Sequence, residues 1–175
     1  DPMKGLTMFD KINNPRELFG HQLGAALTME HDVLDMLGDL EEKARQAELK
    51  RQFSHHAKET RQQIDNIEQV FRALGEEPDD SPCQVTKALD KEAKANIKMA
   101  DESVVDAVIL SGAAETEHHE IAVYESLLTQ AERLRLVVLV HMPLGHPPAA
   151  DEGPRAGHSA AEEAQPREHA VLSAA

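Results

Sequence analysis

The stretch Glu117-His118-His119-Glu120 lies inside a run, Val104 to Leu128, that reads as a helix buried on at least one side. Such a helix has no cheap place for two carboxylates and two imidazoles. An uncompensated charge in a low-dielectric interior costs on the order of several kcal/mol. Groups of this kind are therefore paired, protonated or bound to a metal. Two earlier helices also bring polar groups to their apolar stripes, at Glu30 and at His56/Glu59. Acids converging on one core from three helices predict an all-α bundle built around a di-metal carboxylate site.

The rest of the chain agrees with a helical reading. Its 175 residues are enough for one domain with a sizeable core. Trp is absent and aromatics make up 3%, while Ala, Leu, Glu, Lys and Gln dominate as far as residue 135. These residues favour helices, and no set of β-branched strands with turn signals competes. A net charge of −14 argues against a nucleic-acid partner, because phosphate contacts need a basic face. The same charge disfavours a DNA-protecting role and suits a protein that attracts cations. Cys83 is the single cysteine, so no internal disulfide is expected, which fits a reducing cytosol. Asp1-Pro2-Met3 opens no charged-then-apolar leader, so no signal peptide is expected. The apolar run Leu136 to Val140 is too short to span a bilayer. The expected setting is the cytoplasm, with no membrane partner.

Residues 1–14 read as a leader and 15–134 as the helical domain. The first helix is predicted from Pro15 to Ala44, with Asn14 as N-cap and Pro15 in the first helical position. Its stripe is Leu23, Leu27, Glu30, Leu34 and Leu37, the period of a helix packed in a bundle. The second helix runs from Ala47 to Leu74 and stops at Gly75. Ile64, Ile67, Phe71 and Leu74 form its apolar end; traced backwards, the stripe meets Gln63, Thr60 or Glu59, His56 and Phe53. A loop over 75–82 precedes a shorter helix from Cys83 to Met99, and the fourth helix spans Val104 to Leu134. The predicted stripe of that last helix is Leu110, Ala114, Glu117, Ile121, Tyr124 and Leu128. Residues 135–175 form a Pro/Ala/His-rich tail without core-facing periodicity beyond Val140, and read as largely disordered.

The spacing of the polar groups suggests metal chemistry. Iron and manganese take hard oxygen ligands plus an imidazole or two. Residues three apart on a helix project from one face, so a Glu and a His at that spacing can grip one ion. His56-x-x-Glu59, Glu115-x-x-His118 and Glu117-x-x-Glu120 all have it. The residues assigned to the metal are Glu30, His56, Glu59, Glu117 and Glu120, with Glu117 or Glu59 bridging. His118 is either a ligand or a partner that steadies one. His119 is expected on the surface. Tyr124 belongs to the core, its hydroxyl either bonded to a carboxylate or free to act near the metals. Cys83 is expected to be structural. The plain alternatives are an edge-of-core Glu30 reaching solvent or a Lys, and a satisfied boundary histidine at His56.

These residues resemble the YciF/YciE-like ferritin-like proteins over Pro15 to Leu134. The likeness rests on Glu17-Leu18-Phe19, Glu30, His56-Ala57-Lys58-Glu59-Thr60 followed by Gln63, and Ile67-Glu68-Gln69-Val70-Phe71. Cys83 at the head of the third helix continues it, and Glu117-His118-His119-Glu120-Ile121-Ala122-Val123-Tyr124 is its most specific part. The resemblance implies a rubrerythrin-like antiparallel bundle with a di-iron or related centre, manganese and zinc being the other candidate metals. It also implies a bacterial cytoplasmic protein linked to stress, and oxidation of Fe(II) by O₂ or peroxide.

Three departures from the family pattern matter. Acidic positions early in the first helix are Gly20-His21-Gln22 and Gly24-Ala25 here. Lys87 stands where a Glu is usual in the third helix. The last helix that completes the family's core, and supplies a further carboxylate, is replaced by the Pro-rich tail. Its loss would uncover apolar surface, so a homodimer is expected, or partial cover by Leu134 to Val140. The alternative function is a metal-free helical scaffold whose site has decayed.

Overall fold

The computed structural model describes residues 11–136. Four helices follow in order: α1 (Pro15–Lys43), α2 (Ala47–Leu74), α3 (Gln84–Met99) and α4 (Val105–Arg133). No strand occurs among the described residues. Most of the expected leader, the Pro-rich tail and the question of a further helix lie outside them, as does most of the Leu134 to Val140 cover; Leu134 and Leu136 do pack on the core.

Local signals set the helix ends. Asn14 Oδ1 accepts from the backbone N–H groups of Arg16 and Glu17 at 3.1 and 3.0 Å, satisfying two donors that the first turn leaves free. Gly75 closes α2 in the left-handed conformation, φ 76°, where a side chain would be strained. The start of α2 has no cap of its own. Asp106, in the first turn of α4, supplies one instead. Its carboxylate accepts from Arg45 N at 2.7 Å and Gln46 N at 3.0 Å. This long-range cap pins the head of α4 to the α1–α2 corner. Asp106→Ala should cost about 1 kcal/mol in urea denaturation, the usual worth of a cap, while Asp106→Asn should keep only part of it, because the amide offers one acceptor oxygen to two backbone donors.

The contacts fix the directions of the helices. The short connection through Ala44, Arg45 and Gln46 turns α2 back along α1. Asp106 meets Arg45 at one end of α1, and Gln130 bonds Gln22 near the other, so α4 is also antiparallel to α1. Thr86 bonds Asp32 and Lys94 pairs with Asp39, so α3 runs parallel to α1 along its flank. The α1–α2 pair packs most extensively, and α1 is the central helix. It buries Phe19, Leu23, Leu27, Met29, Val33, Met36, Leu37 and Leu40, a face wide enough for two neighbours. Of α3 only Thr86 is buried, so this helix is a flank rather than a core element. Gly24 lets the loop before α3 lie on α1: a Cβ there would come within 2.9 Å of Asp79 O.

One predicted face is corrected. Helix α4 buries Val105, Ile109, Thr116, Glu120, Tyr124, Leu127 and Ala131, whereas Leu110 and Ala114 are exposed. The buried face is turned by about one residue, roughly 100°, from the expected stripe. The reason lies in the composition of α4. Apolar residues occur on several sides of it, so periodicity alone admits two faces, and packing against α1 selects one.

Candidate metal centre

The carboxylate cluster forms at mid-height, where α1, α2 and α4 face one another. Glu30 on α1 is fully buried, and Glu120 on α4 is 5% exposed. Glu117 on α4 and His56 on α2 are half-buried at the edge of the core, with His56 Nδ1 3.0 Å from Glu117 Oε1. His56, Glu117 and Glu120 each offer a donor atom, and these atoms lie within 4.8 Å of one another. Glu30 is outside that group but near enough for its charge to act on Glu120 and for that of Glu117 to act on it, and the buried Tyr124 hydroxyl donates to Glu30 Oε1. A cavity of about 20 Å³ opens beside the cluster, lined by His56, Thr116, Glu117 and Glu120 and walled by Val33, Met36, Leu37 and Leu40. That volume suits a single water or ion.

Burial dominates the electrostatics of the cluster. Burial, and secondarily Glu117, push the Glu30 carboxyl up to about 7 despite the Tyr124 hydrogen bond. Burial, then Glu30 and Glu117, push Glu120 up to about 9. Glu117 is raised by burial too, and His56 opposes that rise. The Tyr124 hydroxyl is raised far above its ordinary value by burial and the two acids, so it stays a donor. Glu30 Oε2, Glu120 Oε2, Thr60 Oγ1 and Gln63 Oε1 are buried without a hydrogen-bond partner among the described residues. Orphaned carboxylate oxygens in a dry site are what a cation satisfies. The donor set, carboxylates with one imidazole, fits iron, manganese or zinc. The residues present therefore fit a metal.

The other assigned residues sit further out. Glu59 is exposed and pairs with His55 at 3.5 Å. On α2 the buried line passes through Phe53, Thr60 and Gln63, which leaves Glu59 beside it. Its charge still raises Glu117, so it stands at the rim of the cluster. His118 is also exposed, with Nδ1 2.8 Å from Ala114 O. The expectation for His119 is corrected: this residue is half-buried, and its Nε2 lies 3.8 Å from Cys83 Sγ. Burial lowers its pKa. The one-residue turn of α4 explains the exchange, carrying His118 to solvent and His119 under the head of α3. Sequence reading named neither Thr60 nor Gln63 as part of the site, although both stood on the backward-traced stripe of α2.

The fold and the cluster together define a ferritin-like helical bundle with a buried carboxylate–histidine group. Residues 14–141 match the family described as "Domain of unknown function (DUF892)", and the chain belongs to that family. Protein YciF of Escherichia coli (strain K12) is 30% identical over 120 residues, covering 67% of this chain and 72% of YciF. Among solved structures, YcfI of Rhodopseudomonas palustris, for which a structural role has been suggested, superposes with a TM-score of 0.71 at 32% identity. It covers 74% of this chain and 83% of its own. The structure of the E. coli stress protein YciF gives a TM-score of 0.66 at 28% identity, covering 71% and 79%. The YciF-like resemblance and the all-α, ferritin-like architecture expected from the sequence both hold. Among the described residues no helix is long and apolar enough to cross a membrane.

Proposed function

We propose that this protein is a ferroxidase-like oxidoreductase that holds iron at the Glu30, His56, Glu117 and Glu120 cluster and oxidises Fe(II) with O₂ or peroxide. The observation that carries this reading is the pair of buried acids, Glu30 and Glu120, each with an oxygen left without a partner. Bound iron would supply the electrons for reducing the oxidant. The chain supplies geometry and exclusion of water. Tyr124 anchors one oxygen of Glu30 and leaves the other free. Glu117 joins α4 to His56 of α2, so two helices fix one ligand pair. Val33, Met36, Leu37 and Leu40 close the cavity with hydrocarbon, which strengthens charge interactions inside it. Glu59 and His118, at the polar rim, are placed to hand a cation inward. Kinship with the E. coli stress protein YciF supports a stress role, and the same reading sets the protein in the cytoplasm.

The test is metal content by elemental mass spectrometry after anaerobic reconstitution with Fe(II). The reading expects bound iron: one ion per chain fits the cavity as it stands, and two, the number a shared two-electron step requires, would need Glu59 to turn inward. Near-zero iron with intact helices by circular dichroism favours the second reading, a metal-free helical scaffold. The outward position of Glu59 supports that alternative, since it leaves the inner cluster with few donors.

The partner is expected to be a second copy. Ala57, Val123 and Leu128 of α2 and α4 touch the core yet stay partly open to solvent. Sedimentation at micromolar concentration should give a dimer; a monomer with a cooperative thermal transition argues against it.

A further inference from the structure

A groove of about 390 Å³ opens between α1 and α3, within the range of small-molecule sites. Its apolar lining comes from Met36, Leu40, Ala93 and Ile97. At its mouth Lys94 pairs with Asp39 at 3.0 Å and with Asp90 at 2.9 Å, tying α3 to α1. Lys43 and Lys98 also line the groove, so its charge is at the edge and its floor is hydrocarbon.

Two of the groove residues have a second role. Met36 and Leu40 also line the cavity of about 20 Å³ that holds His56, Glu117 and Glu120. Each is 5% exposed. One layer of side chains therefore separates an open apolar groove from the carboxylate cluster. The α3–α4 seam beside it has small residues where Ala93 meets Gly112. A Cβ built on Gly112 would lie 3.5 Å from Cβ of Ala93, and the next residue, Ala113, lines the inner cavity. Met is unbranched and flexible, the side chain best suited to swing aside without disturbing a packed core.

We propose that the α1–α3 groove is the entry route for dioxygen to the carboxylate cluster, with Met36 as the gate. This rests on the metal-centre reading above and adds a separate path for the oxidant. A hydrated cation cannot use this wall, because shedding its water against hydrocarbon is prohibitive. It has the polar rim of Glu59 and His118. Dioxygen is small and apolar and crosses such a layer at little cost. Iron and oxidant thus approach from different sides of the bundle.

Xenon, an apolar atom of similar size, tests the route on metal-free protein. Crystals pressurised with xenon should show it in the groove against Met36. Ala93→Leu fills the groove from a half-exposed position outside the cluster and should abolish that density without altering the fold. In iron-loaded protein the same variant should slow oxidation by dioxygen at least about tenfold, as for a gated step. Fe(II) uptake, and oxidation by hydrogen peroxide, should remain unchanged. Met36→Ala should speed the dioxygen reaction. Metal uptake with no xenon in the groove overturns the route alone, as does an unchanged dioxygen rate in a groove that Ala93→Leu has emptied of xenon. Xenon in the groove of a protein that takes up no metal overturns the metal-centre reading and the dioxygen assignment with it.

Discussion

Glu117→Ala should abolish metal loading while leaving the fold intact. Glu117 touches His56 at 3.0 Å and adjoins both Glu120 and Glu30, so it is the acid that ties the imidazole to the carboxylates. Partners that merely orient metal ligands are worth roughly 10- to 100-fold in affinity. Loss of a direct ligand from so small a set should exceed that, at least about 100-fold on the same scale. The metal-free variant should be no less stable than the native protein, because the substitution removes a half-buried carboxyl whose ionisation burial opposes. Elemental analysis and thermal unfolding of the same sample separate the two effects. Iron content equal to that of the native protein would sink the assignment of Glu117.

The second large effect is on stability against pH. Glu30 and Glu120 have folded pKa values of about 7 and about 9, both above the ordinary 4.5. Below pH 4.5 both groups are protonated in the folded and unfolded chains, and nothing is lost. As pH rises above 4.5, the unfolded chain ionises freely while the folded one resists. Stability therefore falls until pH passes about 7 for Glu30 and about 9 for Glu120. At about 1.4 kcal/mol per unit, the rise of Glu30 from 4.5 to about 7 corresponds to a loss on the order of 3 kcal/mol. Metal-free protein in chelator should thus be markedly more stable at pH 5 than at pH 8 in urea denaturation. Glu120→Gln should flatten the profile, because an amide cannot ionise. A profile parallel to the native one would show that Glu120 is not the source. A bound cation takes the place of those protons, so added metal should stabilise most at high pH and release protons as it binds.

Both effects trace to the same residues that stand out in the sequence, but the sequence showed them unequally. Glu30 was legible because the α1 stripe is regular, and a Glu in the place of a Leu is conspicuous. Glu120 was legible as a member of the Glu117–Glu120 pair, yet only packing made it the more deeply buried of the two. Glu59 and Thr60 competed for one position on α2, and the helix turned Thr60 inward. Neighbouring residues on a helix differ by about 100° in direction, so a small rotation exchanges an acid for a hydroxyl. His118 and His119 exchanged places for the same reason. The Asp106 cap and the Cys83–His119 contact join residues far apart in the chain, and no local pattern announces them.

The sequence by itself determined the helices, their caps at Asn14 and Gly75, the family and the presence of acids in the core. Those features follow from local backbone preference and from the period of apolar residues, which a chain carries before it folds. The tertiary structure alone decided which side of α4 faces α1, which acids meet His56, and how thin the wall is between the cluster and the α1–α3 groove. Those depend on the rotation and approach of packed helices, set by the fit of side chains from distant segments.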